Sequence, residues 1–220
     1  MERRKYRYLA VFDFDSTLIE GEIINAMAGL AGVGDEVSKI TKQVVRGETP
    51  FKEALIERCA MLAGVKEYDC RLLGDRIRLM GNVAKTLDFL RSRGFYIAIV
   101  SASLNPVAAR VASRRDFHQV DHFFFNTLRT ENGKLTGEVD IRVLDKGEVV
   151  RRLSQELGIP KARTVTVGDG STDLPMFAEA DLSIAFNAKE IAKRAADKVV
   201  GGKDVAKIIP VVEKWLAKPR

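Results

Sequence analysis

The chain has no apolar run approaching the roughly 18 residues that a membrane helix needs, so a membrane-spanning protein is not expected. Its start, MERRKYRYLAVFDFD, carries a basic head, but the apolar run behind it is only about five residues and no small-residue cleavage site follows; a secretory leader is not expected either. Cysteine is scarce. Cys59 and Cys70 have no CxxC spacing, which excludes a familiar zinc or dithiol motif, and they read as two reduced thiols of a cytoplasmic protein. Internal repeats and low-complexity stretches are missing. Nor is there a block of one charge sign. Net charge is +6, but the basic residues are scattered (Arg3, Arg4, Lys5 and Arg7, then Arg114 and Arg115, then Lys214 and Lys218) and no aromatic–basic platform accompanies them. A nucleic-acid or membrane-surface partner is therefore not expected, while a mild positive bias suits a phosphorylated small substrate.

What is present is a chain of 220 residues, 46% hydrophobic and 30% charged with both signs interspersed, suited to one large or two small globular units. Continuous apolar runs at 6–12, 95–100, 164–167, 182–186 and 198–200 read as strands covered on both faces. Between them the pattern predicts helices over 83–93 (closed by Gly94), 106–114 (with Pro106 at its first helical position), 146–157, 174–179, 188–195 and 204–217. Strands alternating with helices predict a doubly wound parallel sheet. Two stretches break the rhythm. Residues 22–80 hold no convincing strand and read as four helices, over 22–31, 35–46, 50–63 and 67–79, an inserted helical cap. Residues 123–141 place Asn132-Gly133 between β-prone runs, which predicts a hairpin.

In an open parallel sheet, ligands bind beyond the carboxyl ends of the strands. Three predicted strands end in residues suited to phosphate chemistry: Asp13 with Asp15, Ser101, and Asp169 with Asp173. Of two carboxylates two residues apart past a strand, one can attack phosphorus while the other protonates the leaving oxygen and then activates water. Helix capping is the alternative reading of the same residues. Four aspartates converging with a phosphate call for a cation, and Mg²⁺ prefers oxygen ligands. Ser101, read here as sitting where a helix begins, is suited to donating to phosphate or to capping. Lys146 opens a helix, where a cation opposes the dipole; it is suited to pairing with phosphate and Asp13, or it is a surface lysine. Arg58 falls on the apolar stripe of Phe51, Ala54, Leu55 and Leu62, so its guanidinium either reaches solvent or points into the cleft to bind an acidic group. Glu22 either binds a substrate amine or favours a helix start.

The ordered set DFDST (13–17), VSAS (100–103), Lys146-Gly147 and GDGSTD (168–173), with a helical block after the first motif, resembles the haloacid dehalogenase superfamily, subfamily I, in its phosphoserine-phosphatase-like branch. The resemblance spans nearly the whole chain. It implies a Rossmann-like core over 1–20 and 82–220 and a C1-type helical cap over 21–81. It implies Asp13 as nucleophile, Asp15 as acid/base with its backbone carbonyl on Mg²⁺, Asp169 as the second carboxylate ligand and Asp173 as a supporting acid. Ser101 and Lys146 would bind phosphate, with Gly170 lending backbone contacts and Ala102 and Thr172 beside the substrate. In the cap, Glu22 matches an ammonium-binding position, Arg58 a carboxylate-binding one and Phe51 a pocket wall. The chain departs from the family's pattern at Ala102-Ser103 (usually Gly-Gly), Thr172 (usually Asn) and Asn25 (usually Asp). The activity implied is Mg²⁺-dependent hydrolysis of a phosphate monoester, O-phospho-L-serine first and another small metabolite second, by a monomer or homodimer. A phosphorylatable receiver domain is disfavoured by the helical insert and the length. A non-catalytic phospho-ligand-binding protein is disfavoured by the intact Asp13, Asp15, Lys146 and Asp173. Cap movement is expected at Glu20-Gly21 and Gly81-Asn82.

Overall fold

The computed structural model describes residues 6–218, the side chain of Val45 excepted; the basic residues Arg3, Arg4 and Lys5 of the chain start lie outside that range. Seven strands form one sheet: β1 (Tyr8–Phe12), β2 (Phe95–Asn105), β3 (His122–Glu131), β4 (Lys134–Asp140), β5 (Thr164–Gly168), β6 (Leu182–Phe186) and β7 (Lys198–Val200), in the order β4-β3-β2-β1-β5-β6-β7. All neighbours are parallel except the β3–β4 hairpin. Its turn is the predicted Asn132-Gly133, with φ of 50° and 73°, as a tight primed turn requires. The strands are apolar on both sides because both faces are covered. Ala10, Phe12, Ile97 and Ile99 pack on one side; Leu9, Val11, Ala98 and Val100 pack on the other, against Val149, Val150, Leu153 and Met176.

The chain order reverses beside β1. From β1 it runs outward through β2 and β3, then returns to β5 on the other flank. That crevice, at the carboxyl ends of β1, β2 and β5, is where an open α/β sheet binds its ligand.

Between β1 and β2 come α1 (Ile23–Ala31), α2 (Gly34–Val45), α3 (Phe51–Ala60) and α4 (Glu67–Arg76), followed by α5 (Val83–Ser92). The predicted helices match these to within a few residues. The two linkers into and out of the α1–α4 block lie side by side: Ile19 bridges Leu79, Met80 N–H donates to Leu18 O at 2.9 Å, and Glu20 N–H to Arg78 O at 2.8 Å. The block is also bound to the hairpin, with Gly64 N–H donating to Leu135 O (2.8 Å), Leu135 N–H to Val65 O (2.9 Å) and Glu67 N–H to Gly133 O (2.9 Å). Apolar residues of the block, including Met27, Leu55, Leu62 and Cys70, continue the same buried cluster as the sheet face. Gly81, expected as a hinge, is held by Lys203 O (2.7 Å) and in turn accepts from Val205 N–H (2.9 Å).

The remaining helices are α6 (Val107–Ala112), α7 (Lys146–Leu157), α8 (Leu174–Ala178), α9 (Glu190–Ala195) and α10 (Ile209–Leu216), the last preceded by a 3₁₀ turn at Val205–Ile208. Two local expectations are corrected. Strand β2 does not end at Ser101 but continues to Asn105, so Ser101 lies within a strand and caps no helix. Pro106 precedes α6 instead of occupying its first position. The apolar count stops at Val100, whereas the backbone remains extended through the polar Ser101-Ala102-Ser103. There the pairing with β3 shifts register between Val100 and Leu104.

Candidate active site

Asp13 is the first residue past β1. Its N–H donates to Val167 O of β5 (2.9 Å), which anchors it at the crevice. The chain then turns sharply. Ser16 adopts φ of 59°, and Ser16 N–H donates to Gly21 O at 3.0 Å. This turn is what carries Asp15 back to the same cleft. Asp15 Oδ1 accepts from Ile23 N–H at 3.4 Å, a long contact to the first turn of α1.

Lys146 and Asp173 complete the floor. Asp145 caps α7 by accepting from Gly147 N–H (2.8 Å) and Glu148 N–H (3.3 Å), which frees Lys146 to point inward. Lys146 Nζ donates to Asp13 Oδ1 at 2.6 Å and to Asp173 Oδ1 at 2.5 Å. The other oxygen of Asp173 accepts from the N–H groups of Asp169 (2.8 Å) and Gly170 (2.9 Å), so it fixes the loop after β5. That fit depends on Gly168: a Cβ there would lie 2.4 Å from Asp173 Cγ.

One ammonium cannot neutralise the negative charge gathered here. Asp13, Asp169 and Asp173 are all buried, each with an oxygen within 4.8 Å of the others. Burial first, and then Asp173, raises the Asp13 carboxyl above its ordinary range, with Lys146 opposing. Burial, Asp13 and Asp173 raise Asp169 in the same way. Asp15 is pushed up to about 7 by desolvation and by Asp13. Burial alone would lower Lys146, but the Asp13 and Asp173 carboxylates outweigh it and hold the ammonium well above its ordinary value. A set of oxygen donors with residual negative charge fits a hard divalent cation. Asp13 and Asp169 have oxygens to offer it, whereas both oxygens of Asp173 are already committed to donors.

A cavity of about 140 Å³ opens above this floor. It brings together Asp13, Asp15, Ser101, Ala102, Lys146, Asp169, Gly170 and Thr172 from the sheet side, and Glu22, Phe51 and Arg58 from the helical block. Every residue singled out in the sequence therefore borders it except Asp173, which lies fully buried just behind. Arg58 is buried and does not reach solvent. Its Nε donates to Ala54 O (3.0 Å) and one terminal nitrogen to Thr41 Oγ1 (3.2 Å), and among the described residues no carboxylate lies within ion-pair distance of it. Burial lowers its proton affinity, while Glu22 raises it from across the cavity. Glu22 accepts from Asn25 Nδ2 at 3.1 Å and caps no backbone group.

Lys189 was not anticipated. It follows β6 in a short loop, and its Nζ lies 3.6 Å from Glu22 and 3.9 Å from Asp169, linking the two sides of the cleft. No local pattern marks it, because only the adjacency of β5 and β6 brings the loop to the site. Thr41, Leu55 and Ser103 also border the cavity without having been singled out as site residues.

A family model for haloacid dehalogenase-like hydrolases matches residues 9–181. The chain is 38% identical over 208 residues to the phosphoserine phosphatase of Archaeoglobus fulgidus, covering 93% of this chain and 60% of that one, so it spans about three-fifths of that relative. It is 35% identical to the phosphoserine phosphatase of Methanocaldococcus jannaschii, covering 97% of this chain and 100% of that one. Two solved structures of a phosphoserine phosphatase superpose with a TM-score of 0.86 at 35% identity, covering 94% of this chain and 99% of theirs. One holds a phospho-aspartyl intermediate analogue and the other is substrate-bound.

Proposed function

The chain belongs to the haloacid dehalogenase-like hydrolases, and from that premise we propose that it is a Mg²⁺-dependent phosphatase that hydrolyses O-phospho-L-serine to serine and phosphate through a phospho-aspartate on Asp13. The observation that carries this reading is the convergence, on one cavity, of a lysine-paired aspartate, a second aspartate two residues on, and a buried arginine with a glutamate on the same wall.

Asp13 attacks phosphorus through its free oxygen while Lys146 holds the other, and the bond from phosphorus to the ester oxygen breaks. Asp15 delivers its proton to that oxygen, releasing the alcohol. It then takes a proton from water, which attacks phosphorus and breaks the bond to Asp13; phosphate leaves and Asp15 is protonated again. A carboxyl pushed up to about 7 suits both halves. Ser101 and the N–H group of Ala102 are suited to the phosphate oxygens, whereas the Gly170 N–H, expected to lend such a contact, is already committed to Asp173. A cation held by Asp13, Asp169 and the Asp15 carbonyl would offset charge between nucleophile and phosphate. Arg58, with donors left over, suits the substrate carboxylate, and Glu22 suits its ammonium. Phe51 and Thr172 would wall the substrate. Residues 21–81 would serve as the cap and 1–20 with 82–220 as the catalytic core.

A second reading keeps the chemistry and changes the substrate. It is favoured by Lys189, whose ammonium already stands 3.6 Å from Glu22, where an amino-acid substrate would place its own. The place in serine biosynthesis and a cytoplasmic setting follow from the first reading. Two unpaired thiols, which burial pushes up to about 12 (Cys59) and about 11 (Cys70), suit a reducing compartment. Among the described residues no helix is long and apolar enough to cross a membrane.

Phosphate release from a panel of monoesters, with Mg²⁺ and with chelator, tests the proposal. Mg²⁺-dependent turnover favouring L-phosphoserine supports it. Turnover of other esters with phosphoserine poor selects the second reading. Binding without turnover of any ester would leave a phospho-ligand-binding protein.

A further inference from the structure

Ser103 borders the catalytic cavity, yet the chemistry above leaves its buried hydroxyl unused. Its residue is only 3% exposed, and its Oγ has no hydrogen-bond partner among the described residues. Its backbone N–H is occupied, donating to Ser101 Oγ at 3.2 Å. Thr17 and Thr166 also bury unpaired hydroxyls, but neither borders the cavity. A hydroxyl removed from water without a partner is unfavourable. At the cavity wall, a bound molecule can supply that partner.

The side chain stands beside Asp15, whose ionised form its hydroxyl favours without completing a hydrogen bond of good geometry. This location separates its role from that of Ser101. Ser101 is suited to the non-bridging phosphate oxygens, whereas a group next to the acid/base faces the oxygen that departs. The register shift between Val100 and Leu104 gives this segment its freedom from the β3 ladder.

We propose that Ser103 is a substrate-contacting residue on the leaving-group side, donating its hydroxyl hydrogen bond to the ester oxygen as Asp15 protonates it. The inference rests on the phosphatase reading. The proton delivered comes from Asp15, and Ser103 retains its own. An alkoxide leaving group gains most from such a donor, because negative charge builds on its oxygen. A nitrophenolate disperses that charge and needs little help.

The experiment compares wild type, Ser103→Ala and Ser103→Gly on L-phosphoserine, or the best alkyl phosphate of the panel, and on p-nitrophenyl phosphate, with thermal melts alongside. Both variants should lose about tenfold in kcat/KM on the alkyl ester, the scale of one hydrogen bond formed along the reaction path. They should lose less than about twofold on the aryl ester, with Tm unchanged or raised in Ser103→Ala because an unpaired hydroxyl is gone. Equal loss on both esters, or no loss on either, overturns the inference while leaving the phosphatase reading intact. A wild type inactive on every ester overturns that reading and this inference with it.

Discussion

Lys146 holds Asp13 and Asp173 with one ammonium, at 2.6 and 2.5 Å, and this shared arrangement governs how single substitutions should behave. Asp13→Asn removes the nucleophile while leaving Lys146 its bond to Asp173. Turnover should fall by at least about 10⁴-fold, the scale of a lost nucleophile, with Tm close to wild type; substantial residual activity would exclude covalent catalysis at Asp13. Arg58 makes a different case. Its known bonds go to Ala54 O and Thr41, which leaves donors for a ligand. Arg58→Ala should raise KM for L-phosphoserine on the order of tenfold or more, as expected for a hydrogen bond to a charged group, and spare an aryl phosphate that lacks a carboxylate; equal loss on both would mark a structural arginine. That Asp13, Asp15 and Asp169 would meet in one cleft was legible in the sequence because each follows a recognisable strand end. Lys189 and Ser103 were not read as site residues. One needs the adjacency of β5 and β6, and the other sits where a strand outlasts its apolar run.

At the scale of elements, the helical block is less free than its insertion suggests. The α3–α4 turn is stitched to the hairpin by three backbone hydrogen bonds, and Gly137 of β4 lies against Ala60 at the end of α3. Gly137 has φ of 87°, and a Cβ there would approach Ala60 O to 2.9 Å. Gly137→Ala should therefore push back the end of α3, two residues beyond Arg58. The expected outcome is a loss of about 1–3 kcal/mol in stability by strain and overpacking, read by thermal or urea unfolding. KM should rise more for L-phosphoserine than for an aryl phosphate. Access to the cavity then falls to α2 and the start of α3, which carry Thr41, Val44 and Phe51. The turn at Gly81-Asn82, expected as a hinge, is likewise tied down in this conformation. Glycine and asparagine mark a turn in sequence, but here the turn is held by residues 203–205, remote in the chain.

For the whole molecule, the gathered carboxylates couple stability, protons and metal. Asp15, raised from 3.8 to about 7, and Asp13 and Asp169, raised in the same direction, hold protons in the folded chain that the unfolded chain releases near pH 4. Their contribution to stability is complete below the unfolded values and is lost as pH rises through the folded ones. Without metal, this site therefore destabilises the fold progressively between about pH 4 and pH 7 and above. A divalent cation must displace those protons, so Mg²⁺ should raise Tm more at pH 8 than at pH 6. Melts with Mg²⁺ and with chelator at the two pH values measure this. A protection that is the same at both would mean the ion does not bind at these carboxylates.

The sequence by itself determined the sheet, the helical insert, the hairpin and most of the residues that border the cavity. Those features rest on local physics: apolar runs long enough for a buried strand, Asn132-Gly133 tolerating positive φ, carboxylates placed just past strand ends. Only the tertiary structure decided which groups meet. The reversal of strand order beside β1 brings Lys146 to Asp13 across 133 positions of chain. Packing of the helical block onto the hairpin aims Arg58 and Glu22 into the same cavity, and the β6 loop adds Lys189. Such pairings depend on distances between elements that no window of sequence contains. The long-range ones exist because burying both faces of one sheet forces remote segments together.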